Sequence, residues 1–203
     1  MKDSRLEVIG SAAAGIAHDV NNQLILIVNH LEVRDVAGAR RAAERCAALT
    51  GSLLAYCKQE PVAVEPICPG SFLKAFAADL RLSGGIELHL IVPDLLPAIM
   101  ADALALTRVL TNLVSNACDA MDHQGTLRIT ASPLVIEVSD SGPGIRPEVA
   151  GKIFEPFFTT RGARGTGLGL SIVRDLMWRQ GGSVTLHSRA GDGARFKLAF
   201  RAD

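Results

Sequence analysis

Residues 103–140, ALALTRVLTNLVSNACDAMDHQGTLRITASPLVIEVSD, run from one kind of secondary structure straight into another. In the first half Val109, Leu110, Leu113, Val114, Ala117 and Met121 cover one face of a helix. Asn112, Asn116 and Asp119 follow at steps of four and three, so they share the other face. TLRITAS and LVIEVSD then read as two strands. Around this core SFLKAFAADLRL and GLSIVRDLMWRQ read as helices, and GIELHLIV, SVTLHS and ARFKLAF as strands. Helices segregated from adjacent strands predict an α+β layer fold with a mixed sheet rather than an alternating βαβ one.

The first third of the chain has a different character. Leu6, Ile9, Ala13, Ile16, Val20, Leu24, Ile27 and Leu31 recur at helical spacing, and Ala39, Ala43, Cys46, Leu49, Leu53 and Tyr56 repeat the pattern after EVRDVAG. Two helices joined by a short turn form a hairpin. A lone hairpin buries only part of such a stripe, so a homodimer closing a four-helix bundle is expected. EPVAVEPICPG, residues 60–70, carries Pro61, Pro66 and Pro69, which oppose helix continuation. The expected domains are therefore residues 1–60 and 61–203.

Composition narrows the classes of function. The 203 residues hold 21 basic and 21 acidic side chains, giving no general attraction to nucleic acid or an anionic membrane. No apolar run approaches the ~18 residues of a membrane span, and no signal-peptide pattern opens the chain. Cys46, Cys57, Cys68 and Cys118 lack metal-type spacing. A soluble, cytoplasmic chain without disulfides is expected.

Four stretches could carry chemistry. In GIAHDVNNQL, His18 lies two residues from both Ile16 and Val20, about 200° from the seam, so it points outward with Asn22 one turn on. An exposed imidazole beside Asp19 could act as a nucleophile, or the stretch could be an ordinary solvated face. Asn112 and Asn116 offer neutral oxygen ligands suited to a Mg²⁺ that also holds phosphates, or simply a wet helix face. Asp140 closes a strand before Gly142 and Gly144, placing a carboxylate where an exocyclic amine could meet it, unless this is only a glycine turn. Gly165, Gly167 and Gly169 precede a helix whose N-terminus could hold phosphates, unless this is only a flexible loop ending at an ordinary helix. No Gly-Lys-Ser/Thr follows, which excludes a P-loop, and the third glycine of a dinucleotide fingerprint is missing. Residues 145–164 read as a mobile lid.

In this order and spacing the stretches resemble the transmitter core of sensor histidine kinases of two-component systems, over nearly the whole chain. AHDVNNQL resembles the phospho-acceptor box, NLVSNACDAM the N box, DSGPGI the G1 box, FEPFFTT the F box and GTGLGL the G2 box. The resemblance implies a dimerisation and phosphotransfer hairpin followed by an α/β sandwich of the gyrase, chaperone and kinase type, using ATP and Mg²⁺. It makes His18 the phosphorylated residue, Asp19 its general base and Asn22 a residue that orients water. Asn116 would bind Mg²⁺, with Asn112, Thr160 and Arg161 near the phosphates, and Asp140 would recognise the adenine amine. Gly142, Gly144, Gly165, Gly167, Leu168 and Gly169 would shape pocket and lid. The implied partners are a second copy, a response-regulator receiver domain, and either a separate sensory protein or a sensor region missing from these residues. No nucleic-acid partner is implied.

Three features depart from the pattern: Asp119 stands where many family members carry a basic residue, although acidic versions occur in the nitrogen-regulation-like branch, which the chain resembles; Ala194 replaces a frequent threonine; and the lid is short. Two rivals remain, a phosphotransfer or phosphatase module with weak or lost kinase activity and an ATP-driven clamp of the gyrase or chaperone kind. Asn116, Asp140 and GTGLGL speak against the first, and the His18 hairpin against the second.

Overall fold

The computed structural model describes residues 20–57, 61–82, 84–161 and 165–202. Its contacts divide into two units, Met1–Glu60 with Glu155–Leu168, and Pro61–Phe154 with Gly169–Asp203. Among the described residues no helix is long and apolar enough to cross a membrane.

In the first unit, helix α1 occupies residues 20–32 and α2 spans Val36–Cys57. The turn between them is built on Asp35. Its N–H donates to the His30 carbonyl at 2.7 Å, and Oδ1 accepts the Gly38 N–H at 2.9 Å. Oδ2 lies 2.9 Å from His30 Nδ1, so His30 is part of the turn. The Gly38 N–H, aided by the His30 and Arg41 charges, holds the Asp35 carboxyl below its ordinary value. Ala39 and Ala42 are buried, and Arg45 Nε donates across the hairpin to Oε1 of buried Gln23 at 3.1 Å. Leu24 and Leu31 of the expected seam are 48% and 54% exposed, because two helices cannot enclose such a stripe. Ile25, Val28, Val33 and Val36 are exposed as well.

The second unit is the expected α+β layer. Five strands, β2 (Gly85–Ile91), β4 (Gln124–Ser132), β5 (Val135–Asp140), β6 (Ser183–Ser188) and β7 (Ala194–Ala199), lie in the order β2-β4-β5-β7-β6. Only β2 and β4 pair in parallel. Alternation selects the faces: Leu127, Ile129, Ile136, Val138, Phe196 and Leu198 are buried, while Arg128, Arg195 and Lys197 face solvent. The inner face packs against α4 (Ala103–Ala120) and α6 (Gly169–Arg179). Leu106, Val109, Leu110 and Leu113 of α4 are at most 1% exposed, the interdigitated core expected of a helix on a sheet. Helix α3 (Pro69–Asp79) precedes β2.

Three short elements were not read from the sequence. The proline-rich connector contains β1 (Glu65–Ile67), which pairs antiparallel with β3 (Ile99–Ala101). Pro66 is tolerated there for a geometric reason. Its partner Met100 turns its N–H the other way, to the Arg201 carbonyl at 3.2 Å, so the Pro66 position asks for no donor. The stretch read as a lid opens with a short helix, α5 (Pro147–Ala150).

Candidate functional site

Helix α4 buries one face and leaves Asn112 and Asn116 half-buried on another, with Asp119 exposed. Asn112 Nδ2 donates to the Arg108 carbonyl one turn back at 2.9 Å, which fixes its side chain. Both amides close on the start of α6: a Cβ built on Gly169 would stand 3.2 Å from Asn112 Oδ1 and 3.6 Å from Asn116 Nδ2. Two neutral amides therefore sit beside a helix N-terminus, whose N–H groups and dipole favour an anion. Among the described residues no group of three or more His, Cys, Asp or Glu could hold a metal by itself. A cation here fits a donor set of one amide oxygen completed by ligand oxygens, as Mg²⁺ on a polyphosphate prefers.

Asp140 closes β5, and its Oδ1 accepts two backbone N–H groups, Gly142 at 2.9 Å and Ala194 at 3.2 Å. The first is an Asx turn, which orients the carboxylate from its own backbone. Gly142 lies against the Ala120 carbonyl at the end of α4. Asn116 and Asn112 are then about 6 and 12 Å up the helix axis from Ala120, at ~1.5 Å per residue. Asp140, Asn116 and Asn112 are thus strung along one helix, a carboxylate at one end and amides with an anion-favouring terminus at the other.

The glycine turn after Asp140 is held from outside. Ser188 Oγ accepts the Ile145 N–H at 2.8 Å and donates to the Gly193 carbonyl at 2.6 Å, while the Gly191 N–H donates to the Pro143 carbonyl at 2.8 Å. Gly144 has φ +73°, and a side chain there would overlap the Arg189 carbonyl, so the turn and the β6–β7 loop meet backbone to backbone.

Residues 155–161 and 165–168 close on each other within one loop. The Phe157 N–H donates to the Gly167 carbonyl at 2.9 Å, and Gly167, at φ +65°, lies so close to the Phe157 backbone that a Cβ would overlap it. Thr159 Oγ1 accepts the Arg161 N–H at 3.0 Å and abuts Gly165. Leu168 is 1% exposed, Arg161 half-buried and Thr160 exposed.

The structure thus brings Asn112, Asn116, Asp140, Gly142, Gly144 and Gly169 together around α4, and Thr160, Arg161, Gly165, Gly167 and Leu168 into the loop. Asn22 is exposed on α1, and His18 and Asp19 lie outside the described residues. Sequence reading missed Ser188, whose hydroxyl clamps two turns more than forty residues apart. It also missed the backbone donor of Ala194, since a peptide N–H leaves no mark in a residue pattern.

Comparison with known proteins agrees with the fold. The histidine kinase ThkA in complex with the response regulator TrrA superposes with a TM-score of 0.78 at 23% identity, covering 100% of this chain and 64% of that one. Full-length ShkA in complex with AMPPNP gives 0.69 at 24%, covering 97% and 46%. At these identities the likeness is one of fold. The sensor histidine kinase ZraS of Escherichia coli O157:H7 is 33% identical over 217 residues, 97% of this chain and 47% of ZraS. The chain spans about half the length of that curated relative. Residues 101–203 match the profile of the histidine kinase-, DNA gyrase B- and HSP90-like ATPases, and with half the chain so covered it belongs to that family.

Proposed function

We propose that the chain is the catalytic core of a sensor histidine kinase. It moves the γ-phosphoryl group of ATP to His18, and from there to an aspartate of a separate response-regulator receiver domain. The observation that carries this reading is the line along α4: an anchored Asp140 at one end, and Asn116 and Asn112 closing on the N-terminus of α6 at the other. Those spacings match a base-recognising acid and a polyphosphate cradle. The sensor-kinase relative supports the same activity, and the ThkA–TrrA pair and the AMPPNP-bound ShkA share the fold.

Each residue then has a task. Asp140 accepts the exocyclic amine of adenine and selects the base. Asn112, the N-terminus of α6, Thr160 and Arg161 hold phosphate oxygens, and Asn116 supplies the amide oxygen to Mg²⁺. The metal, when bound, draws negative charge from the phosphates. His18 attacks the γ-phosphorus as the bond to the β–γ bridging oxygen breaks; ADP leaves, and the imidazole proton passes to Asp19. Phosphoryl transfer asks for positioning and charge stabilisation more than covalent assistance, which this set supplies. Asn22, one turn beyond His18, orients water when a phosphorylated regulator is hydrolysed. The exposed stripe of α1, with Leu24, Val28 and Leu31, is covered by a second copy in a four-helix bundle.

The test is incubation with Mg²⁺ and ATP labelled at the γ-phosphate. An acid-labile, alkali-stable label that vanishes in His18→Ala and in Asp140→Asn is expected. A label that persists in His18→Ala would overturn the assignment.

A further inference from the structure

Three of the hydrogen bonds of Asp102 serve three different segments. Oδ1 accepts the Ala105 N–H at 2.8 Å and caps α4. Oδ2 accepts the N–H of Ala63 at 2.7 Å, in the connector that precedes β1. Its own N–H donates to Gln180 Oε1 at 2.8 Å, and Gln180 Nε2 donates to the Leu176 carbonyl of α6 at 3.0 Å. Gln180 is 4% exposed, so an amide has been buried and both its polar atoms are engaged. Such a group holds its partners firmly, because an unmet buried amide is costly.

Capping a helix needs one oxygen, and serine, threonine or asparagine would serve. The bond to Ala63, 39 residues away in sequence, uses the second oxygen that only a carboxylate adds. The tie therefore joins the connector to the front of the helix that carries Asn112 and Asn116, and through Gln180 to the helix that starts at Gly169. Eighteen residues of continuous α-helix make α4 a stiff element between the two ends.

We infer that Asp102 is a positioning residue coupling the connector to the nucleotide helix. The position of residues 61–64 sets where Asn112 and Asn116 stand, and a nucleotide held by those amides tightens the Asp102–Ala63 bond. Coupling of this kind is reciprocal, so the factor is the same in both directions. The inference rests on the nucleotide reading above.

Two substitutions isolate the tie. Asp102→Asn keeps the cap but turns an NH₂ toward the Ala63 N–H; Ala63→Pro removes the donor. Backbone amide exchange at Ala63 is followed in the whole chain with and without saturating Mg²⁺–AMPPNP, alongside the AMPPNP Kd. Nucleotide should slow Ala63 exchange three- to tenfold in the wild type and leave it unchanged in Asp102→Asn. The Kd should rise by the same factor in each variant and no further in the double variant, since both remove one interaction. Binding of AMPPNP without protection of Ala63, or losses that multiply in the double variant, would refute the coupling while leaving the nucleotide site intact. A wild type that does not bind AMPPNP would sink the nucleotide reading, and this inference with it.

Discussion

Replacing Asp140 by asparagine should change which base the site accepts, not only how tightly it binds. The two N–H groups of Gly142 and Ala194 converge on Oδ1, at 2.9 and 3.2 Å, and both require an acceptor there. An asparagine must therefore present its carbonyl oxygen to them, and its NH₂ falls where Oδ2 was. The group offered to the base switches from acceptor to donor. Against adenine the exocyclic amine then meets another N–H, losing a charge-assisted hydrogen bond of about 1.5–3 kcal/mol. At about 1.4 kcal/mol per decade, the Kd for ATP rises roughly 10- to 150-fold. A base with a carbonyl at that position gains a partner, so ITP should be favoured over ATP in the variant. Because both backbone donors keep an acceptor, stability should change little. Competition between ATP analogues and ITP for wild type and variant, with a thermal melt of each, measures all three effects. An ATP affinity within twofold of wild type, or an unchanged ratio of ATP to ITP, would show that Asp140 does not read the base.

Asn116→Ala should raise the Mg²⁺ concentration needed for half-maximal labelling of His18 by at least tenfold and leave binding of metal-free nucleotide nearly unchanged; equal Mg²⁺ dependence in both proteins would remove Asn116 from the metal site. Leu110→Ala, at a fully buried position of α4, should cost about 2–5 kcal/mol in chemical denaturation, from lost transfer energy and the cavity left behind. A cost below about 1 kcal/mol would mean that α4 is not the centre of the core. Asp35 has its pKa lowered from 3.8, so its contribution to the hairpin is fully present above that value and is lost as pH falls through the lower folded one. Carbonyl-carbon titration by NMR should give a midpoint below 3.8, moving upward in Gly38→Pro, which removes the main donor; a wild-type midpoint at or above 3.8 would contradict the turn geometry.

The sequence was most informative where one period ran long enough to dominate. The steps of three and four in residues 109–121 located α4 and separated its amides from its core face, and burial of Val109, Leu110, Leu113, Val114 and Ala117 follows that pattern. Short elements were less legible. β1 and β3 have three residues each, too few to show alternation, and the prolines around β1 argued for plain connector; only the direction of the Met100 N–H explains why a strand survives there. Strand order was hidden too, since the parallel neighbour of β2 is fixed by a crossover through α4 that no local pattern records. In the site, Asp140 and the asparagines could be picked out as residue types at telling intervals. Ser188, Asp102 and Gln180 could not, because the partners that give them their roles lie 39 to 78 residues away.

Met100 stands between two distant parts of the chain, paired with Pro66 on one side and with Arg201 on the other. With strands about 4.8 Å apart, the first and last strand positions of the second unit lie roughly 10 Å from each other, while residues 155–168 form an excursion between its two segments. A unit that enters and exits at one spot behaves as a cassette. It can be spliced between other segments, or exchanged among proteins, while its neighbours keep their spacing and its sheet stays whole. Insertions into unrelated hosts should therefore join at residues 61 and 202, which keeps the Ala63–Asp102 bond with the unit.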